Sequence, residues 1–206
     1  MSNPVLFIVA GPNGSGKSLF SKVLTASDFA VFDGDKHMAA LIKKYPETGS
    51  EALWSFINEN IFEEQKREAL TALLNFAFET NFSSADPMKT AREFKKAGYE
   101  IRLLFMGLNS LGESIKRVAY RVSKGGHKVS EESIQYNYEF GFKNLYEYVT
   151  EFDFVALYDN GIASIQEFII PKKILHIEKG KAYLIRKDYP VWVEPILAKF
   201  QGCILP

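Results

Sequence analysis

Gly11-Pro12-Asn13-Gly14-Ser15-Gly16-Lys17-Ser18 is the stretch that decides the fold. It satisfies the pattern G-x-x-x-x-G-K-[ST] in full. Glycines let a backbone wrap a phosphate with its N–H groups turned inward, and the N-terminus of a following helix adds its dipole. At this spacing Lys17 would reach the β- and γ-phosphates of a nucleoside triphosphate, and the Ser18 hydroxyl would bind Mg²⁺. A chance glycine turn could carry the same letters, so the flanks matter. Val5-Leu6-Phe7-Ile8-Val9-Ala10 comes before it, a continuous apolar run of the kind found in a strand buried on both faces of a parallel sheet. A helical segment from Lys17 to about Ala26 follows it. Strand, glycine loop and helix in that order are the context the motif requires.

Working outward, Phe29–Phe32 reads as a second strand that ends in Asp33-Gly34-Asp35, and a helix follows as far as Pro46. A long helix is expected over about Ser50–Leu74, where Leu53, Phe56, Ile57, Ile61, Leu70 and Leu73 recur at helical spacing. Asn75–Thr80 is the third expected strand. Asp86-Pro87 opens a helix with Asp as N-cap, and Gly98 ends it. Tyr99–Met106 is the fourth strand and Phe152–Tyr158 the fifth. Two helices lie between them, about 110–124 and 130–149, split by Gly125-Gly126. This alternation over residues 5–158 predicts an α/β fold, a P-loop NTPase with a five-stranded, mainly parallel sheet and helices on both faces. After Asn160-Gly161 the texture changes. Ile165–Ile170, Ile174–Glu178 and Ala182–Arg186 read as short strands, with Lys179-Gly180 as a hairpin turn, and a last helix covers Glu194–Phe200. The expected organisation is a kinase-like domain over 1–160, with a helical lid segment at about 110–149, and a small β-rich C-terminal appendage over 161–206.

Composition narrows the function. The chain has 206 residues, 47% hydrophobic and 24% charged, which are ordinary globular values. Lys+Arg and Asp+Glu are both 25, and a net charge of zero argues against a general nucleic-acid binder, which needs a cationic surface. The single cysteine, Cys203, can form neither an internal disulfide nor a cysteine-based zinc site. No apolar run approaches the length of a membrane span, and the N-terminal run leads straight into the glycine loop. The expectation is a cytoplasmic protein with no membrane partner.

In open α/β sheets the ligand lies beyond the carboxyl ends of the strands. Asp33 and Asp35 fall there after the second strand, and Glu79 and Thr80 after the third. Phosphoryl transfer to a hydroxyl needs a carboxylate to take its proton, which Asp35 or Asp33 would supply. Either could instead cap the helix that follows. Glu79 and Thr80 would hold the acceptor or a metal-bound water, or simply form a polar strand end. Asp159-Asn160-Gly161 is rich in turn formers and reads as a turn. Arg117, Arg121 and Lys124, four and three apart, share one face of a helix whose other side carries Leu111, Ile115, Val118 and Val122. Such a face would clamp phosphates, or be no more than a solvated surface. His127, after the glycine pair, reads as structural.

Four blocks, in order, resemble the zeta-toxin-like kinases, in particular their stand-alone branch labelled predicted ABC-type ATPase. They are Gly11–Ser18, Asp33-Gly34-Asp35, Glu79-Thr80-Asn81-Phe82-Ser83-Ser84, and Arg117-Val118-x-x-Arg121-Val122-x-x-Gly125-Gly126-His127-x-Val129. The last is the most specific, because common P-loop kinases lack it. The resemblance covers about residues 4–160. It implies an ATP-dependent kinase acting on a hydroxyl of a small molecule, with a UDP-N-acetyl amino sugar as the acceptor of toxin members and a separate antitoxin protein as partner. It also implies Lys17 and Ser18 on ATP and Mg²⁺, Asp35 as base, Glu79 and Thr80 on the acceptor, and Arg117 and Arg121 on phosphates. The chain departs from the family at Ser133–Tyr138, which holds no arginine where relatives usually show a pair. Two other classes stay open. One is an NTPase acting on a protein or nucleic-acid partner, although no Leu-Ser-Gly-Gly-Gln signature is present. The other is a catalytically weak ATP binder.

Overall fold

The computed structural model describes residues 3–24, 31–126, 128–161 and 170–205. Strand β1 (Val5–Ala10) is buried along nearly its whole length and runs into the glycine loop, from which helix α1 (Lys17–Leu24) starts. The parallel strands that follow are β2 (Val31–Phe32), β3 (Phe76–Thr80), β4 (Glu100–Gly107) and β5 (Phe154–Asp159). They lie in the order β2-β3-β1-β4-β5, so β1 and its loop sit at the middle of the parallel part. Leu6, Ile8, Leu103, Val155 and Leu157 are fully buried in it. The expected strand Ile165–Ile170, all but its last residue, and His127 lie outside the described residues.

The sheet does not stop at five strands. Strand β6 (Lys172–Glu178) pairs antiparallel with β5, and β7 (Lys181–Leu184) pairs antiparallel with β6 through a turn at Lys179-Gly180. Strand β8 (Ile204–Leu205) closes the edge beside β7. The C-terminal strands therefore extend the same sheet to eight.

Helix α2 (Gly34–Lys44) is capped by Asp33, whose Oδ1 accepts from the Lys36 N–H at 3.2 Å. The long helix expected over 50–74 is continuous but not uniform. Helices α3 (Ser50–Phe56) and α4 (Glu63–Ala72) are joined by a π-helical stretch, Ile57–Phe62. Such wide turns admit an extra residue and recur at functional sites. Here the stretch seats Ile57 in the core while Asn58, Glu59 and Phe62 line a cavity. Helix α5 (Asp86–Lys96) begins one residue earlier than its sequence suggests. Asp86 lies inside the first turn, and Pro87 sits where a missing N–H costs nothing.

Helix α6 (Leu111–Ser123) is capped by Ser110, and α7 (Glu131–Tyr148) by Ser130. Helix α7 sends Phe142 and Leu145 into the main core, together with Trp192 and the helix α8 (Glu194–Lys199) residues Ile196 and Leu197. Among the described residues no helix is long and apolar enough to cross a membrane.

Candidate active site

The glycine loop closes on itself at the carboxyl end of β1. Gly11, Gly14 and Gly16 all have φ in the left-handed range, where a side chain strains the backbone. A Cβ on Gly11 would also collide with the Met106 carbonyl, so β4 presses directly on the loop. The Lys17 ammonium donates to Gly11 O at 2.7 Å, to Pro12 O at 3.2 Å and to Asn81 Oδ1 at 3.0 Å. Burial lowers its pKa, and Glu79, Asp35 and Asp33 pull the other way.

Ser18 and Glu79 meet at the head of α1. The Ser18 hydroxyl donates to Glu79 Oε2 at 2.6 Å, and Ser21 donates to Oε1 at 2.8 Å. Burial pushes the Glu79 pKa up, and the nearby Asp33 charge adds to that shift while the two hydroxyls oppose it. Asp33, buried beneath α2, shifts down. Its burial cost is outweighed by the hydrogen bond from Lys36 and by the Lys36 charge, 3.0 Å away. Ser18, Asp33 and Glu79 form a set of hard oxygen donors, the chemistry that fits Mg²⁺ directly or through its waters.

The two acids of Asp33-Gly34-Asp35 are divided by this geometry. Asp33 caps α2, whereas Asp35 is exposed in the first turn and lines the cavity. That cavity, of about 590 Å³, runs from Lys17, Glu79 and Thr80 across to the π-helical stretch and α5. Thr80 also accepts the Phe82 N–H at 2.9 Å, which fixes the turn after β3.

Arg117 and Arg121 come to the loop from α6, but not as an exposed ridge. The Arg117 guanidinium is nearly enclosed. It pairs with Glu113 at 2.9 Å and donates to Gly14 O at 3.2 Å and to Asn160 O. Arg121 is near enough to oppose the charge of Lys17, and its stem packs against Gly126. Lys124 stands apart, exposed, with its ammonium over the Tyr120 ring at 5.6 Å. Asp159 accepts the Gly161 N–H at 2.7 Å, which makes the turn its letters suggest.

Four residues of the site receive no functional role from the sequence reading. Asn81 holds Lys17. The Asn160 side chain donates to Ser15 O at 2.7 Å, and the Ser114 hydroxyl to Asn13 O at 2.6 Å. Asn137, inside the arginine-free stretch of α7, donates to Asn13 Oδ1 at 2.9 Å and accepts from the Ser83 hydroxyl at 2.7 Å. It thereby ties the glycine loop to the turn after β3. Only Asn81 lies in a motif block that could have pointed to it.

The family model described as Zeta toxin matches residues 1–164. An uncharacterized protein of Haemophilus influenzae is 24% identical over 143 residues, which is 67% of this chain and 94% of that one. Among solved structures, the toxin–antitoxin system PezAT of Streptococcus pneumoniae superposes with a TM-score of 0.62 at 18% identity, over 78% of this chain and 69% of that chain. The complex of AvrRxo1-ORF1 with AvrRxo1-ORF2 solved with ATP gives a TM-score of 0.65 at 14% identity, over 89% of this chain and 61% of that chain. At these identities the structural likenesses establish the fold alone.

Proposed function

The chain belongs to the zeta toxin family, and on that premise we propose that it transfers the γ-phosphate of Mg·ATP to a hydroxyl of a small molecule. One observation carries the reading. Lys17 and Glu79, the carboxylate to which Ser18 donates, line the same cavity as Asp35, which makes no ion pair among the described residues. A phosphate donor and an acceptor hydroxyl would meet there.

In the transfer, the acceptor oxygen forms a new bond to the γ-phosphorus as the bond to the β,γ-bridging oxygen breaks. The electron pair leaves with ADP, and the hydroxyl proton passes to the Asp35 carboxylate. Lys17 leaves its carbonyl partners for the β- and γ-phosphates. Arg121 meets charge on the transferring group. Arg117 holds the loop from behind and so acts as a positioning residue. Ser18, with Glu79 and Asp33 behind it, would hold Mg²⁺, which neutralises phosphate charge. Thr80 borders the acceptor, and Lys124 would meet phosphate only from the outer edge. The resemblance implies a UDP-N-acetyl amino sugar as acceptor. The streptococcal likeness, part of a toxin–antitoxin system, supports a separate antitoxin protein as partner.

³¹P NMR with Mg·ATP and a panel of sugars, nucleosides and nucleotide sugars tests this. A new phosphomonoester is expected, and Asp35→Ala should slow its formation by about 10²–10⁴-fold. A second reading, an ATP binder without transfer, is favoured by the stretch Ser133–Tyr138, which holds no arginine. Tight ATP binding with no product from any acceptor would establish it.

A further inference from the structure

The geometry points to an acceptor that carries an ammonium group and no phosphate, a substrate class distinct from the nucleotide sugars. This rests on the cavity beside the glycine loop being the acceptor site. Among the described residues, seven carboxylates and three lysines line that cavity, and no arginine does. None of the three lysines has charge to spare for an acceptor phosphate. Lys17 belongs to the glycine loop and to ATP. Lys66, almost buried, is held between Glu63 at 2.6 Å and Glu93 at 3.0 Å. Burial favours its neutral form, but the two carboxylates prevail and raise its pKa. It is therefore an ammonium carrying two negative partners. Lys89 sits at the exposed rim, paired with Asp86 at 2.8 Å.

Asp33 is paired with Lys36 at 3.0 Å, and Glu79 accepts from the Ser18 and Ser21 hydroxyls. Two carboxylates remain. Asp35 and Glu59 make no ion pair among the described residues. Mg·ATP brings further net negative charge to the mouth of the cavity. A diphosphate group there would meet the like charge of two exposed carboxylates that no ion pair offsets, and would be repelled by them. An ammonium would meet attraction from the same groups.

The aromatic wall agrees independently. Trp54 is 38% exposed and lines the cavity. Its indole lies on the backbone of Gly34, where a Cβ would come within 2.9 Å of Cζ3. Gly34 thus admits the ring beside the turn that carries Asp35. An indole next to carboxylates is the chemistry that recognises ammonium ions. Phe62 and Phe78 offer apolar walls for a carbon skeleton.

The charge also directs the chemistry. An amine kept protonated has no lone pair and cannot accept phosphate. The hydroxyl oxygen forms the new P–O bond, its proton goes to Asp35, and the ammonium stays on Glu59 and Trp54.

Titration calorimetry on the full chain saturated with Mg·AMP-PNP tests the inference, with glucosamine, kanamycin and UDP-N-acetylglucosamine as probes. At least one amine should bind ten-fold more tightly than UDP-N-acetylglucosamine. Glu59→Lys, at an exposed position, should weaken amine binding at least ten-fold and leave the AMP-PNP affinity unchanged, and Glu59→Gln should give a smaller loss. Tighter binding of UDP-N-acetylglucosamine than of every amine, no amine binding, or indifference to Glu59→Lys overturns it. The kinase reading fails separately. Amines that bind but yield no phosphomonoester with ATP would end that reading and leave the charge selection standing. Phosphorylated UDP-N-acetylglucosamine would do the reverse.

Discussion

Arg117 sits behind the glycine loop with Glu113 on one side and the carbonyls of Gly14 and Asn160 on the other, only 9% of its side chain exposed. Removing one partner of such an enclosed pair strands the other's charge and frees the loop. Arg117→Ala is therefore expected to cost about 3 kcal/mol of stability, read by urea unfolding. The ATP affinity should fall with it, measured by equilibrium dialysis. Lysine keeps the charge but not the planar fork, so Arg117→Lys should recover less than half of the loss. Glu79 behaves in the opposite sense. Its burial raises the carboxyl pKa above the ordinary 4.5, so the folded state binds the proton more tightly than the unfolded one. Stability from this group is full below the ordinary value and is lost as pH rises through the folded pKa. Glu79→Gln should thus raise the melting temperature at about pH 7 and make little difference at about pH 4. The same change should abolish Mg²⁺-dependent transfer. A thermal-shift series across that pH range reads the first effect.

Helix α7 is the element that joins the parts of the site. Asn144 donates to Phe82 O at 2.8 Å and to Ser84 O at 3.2 Å, Asn137 bridges Asn13 and Ser83, and Gly141 lets the helix approach the turn after β3. A Cβ on Gly141 would stand 2.7 Å from Asn81 O. Gly141→Ala is expected to destabilise the fold by about 1–3 kcal/mol through overpacking. Because Asn81 holds Lys17, the ATP dissociation constant should also rise, again by equilibrium dialysis. None of this was legible in the sequence. The strands and helices were, because their apolar spacing is local, and so was the glycine loop, because its chemistry is packed into consecutive residues. Asn137, Gly141 and Asn144 read as ordinary helix positions, since their partners lie 54 to 124 residues away and leave no periodic trace. Arg117 was singled out as a phosphate-clamp candidate and does lie against the glycine loop, but helical spacing cannot say that its guanidinium turns inward. The change of pitch at Ile57–Phe62 was hidden too, because apolar letters alone do not separate an α turn from a wider one.

For the molecule as a whole, the segment after Asn160 is not peripheral. Strands β6 and β7 continue the sheet, and Trp192, Val193, Ile196, Leu197 and Phe200 share the core cluster with Phe105, Phe142 and Leu157. A chain cut after residue 160 would leave that surface bare and β5 as an open edge, a template for aggregation. Such a truncation is expected to lose cooperative unfolding, which circular dichroism against temperature would show. If it kept a sharp transition, the core would be divisible after all. The two tryptophans of the chain have opposite surroundings. Trp54 stands at the mouth of the cavity, and Trp192 is buried at 8% exposure against Gly107. The protein therefore carries two built-in optical reporters. The first should emit toward the red and be open to a soluble quencher, and a ligand entering the cavity should shield it. The second should emit toward the blue and change only when the core comes apart, so occupancy and unfolding can be followed in one unlabelled sample.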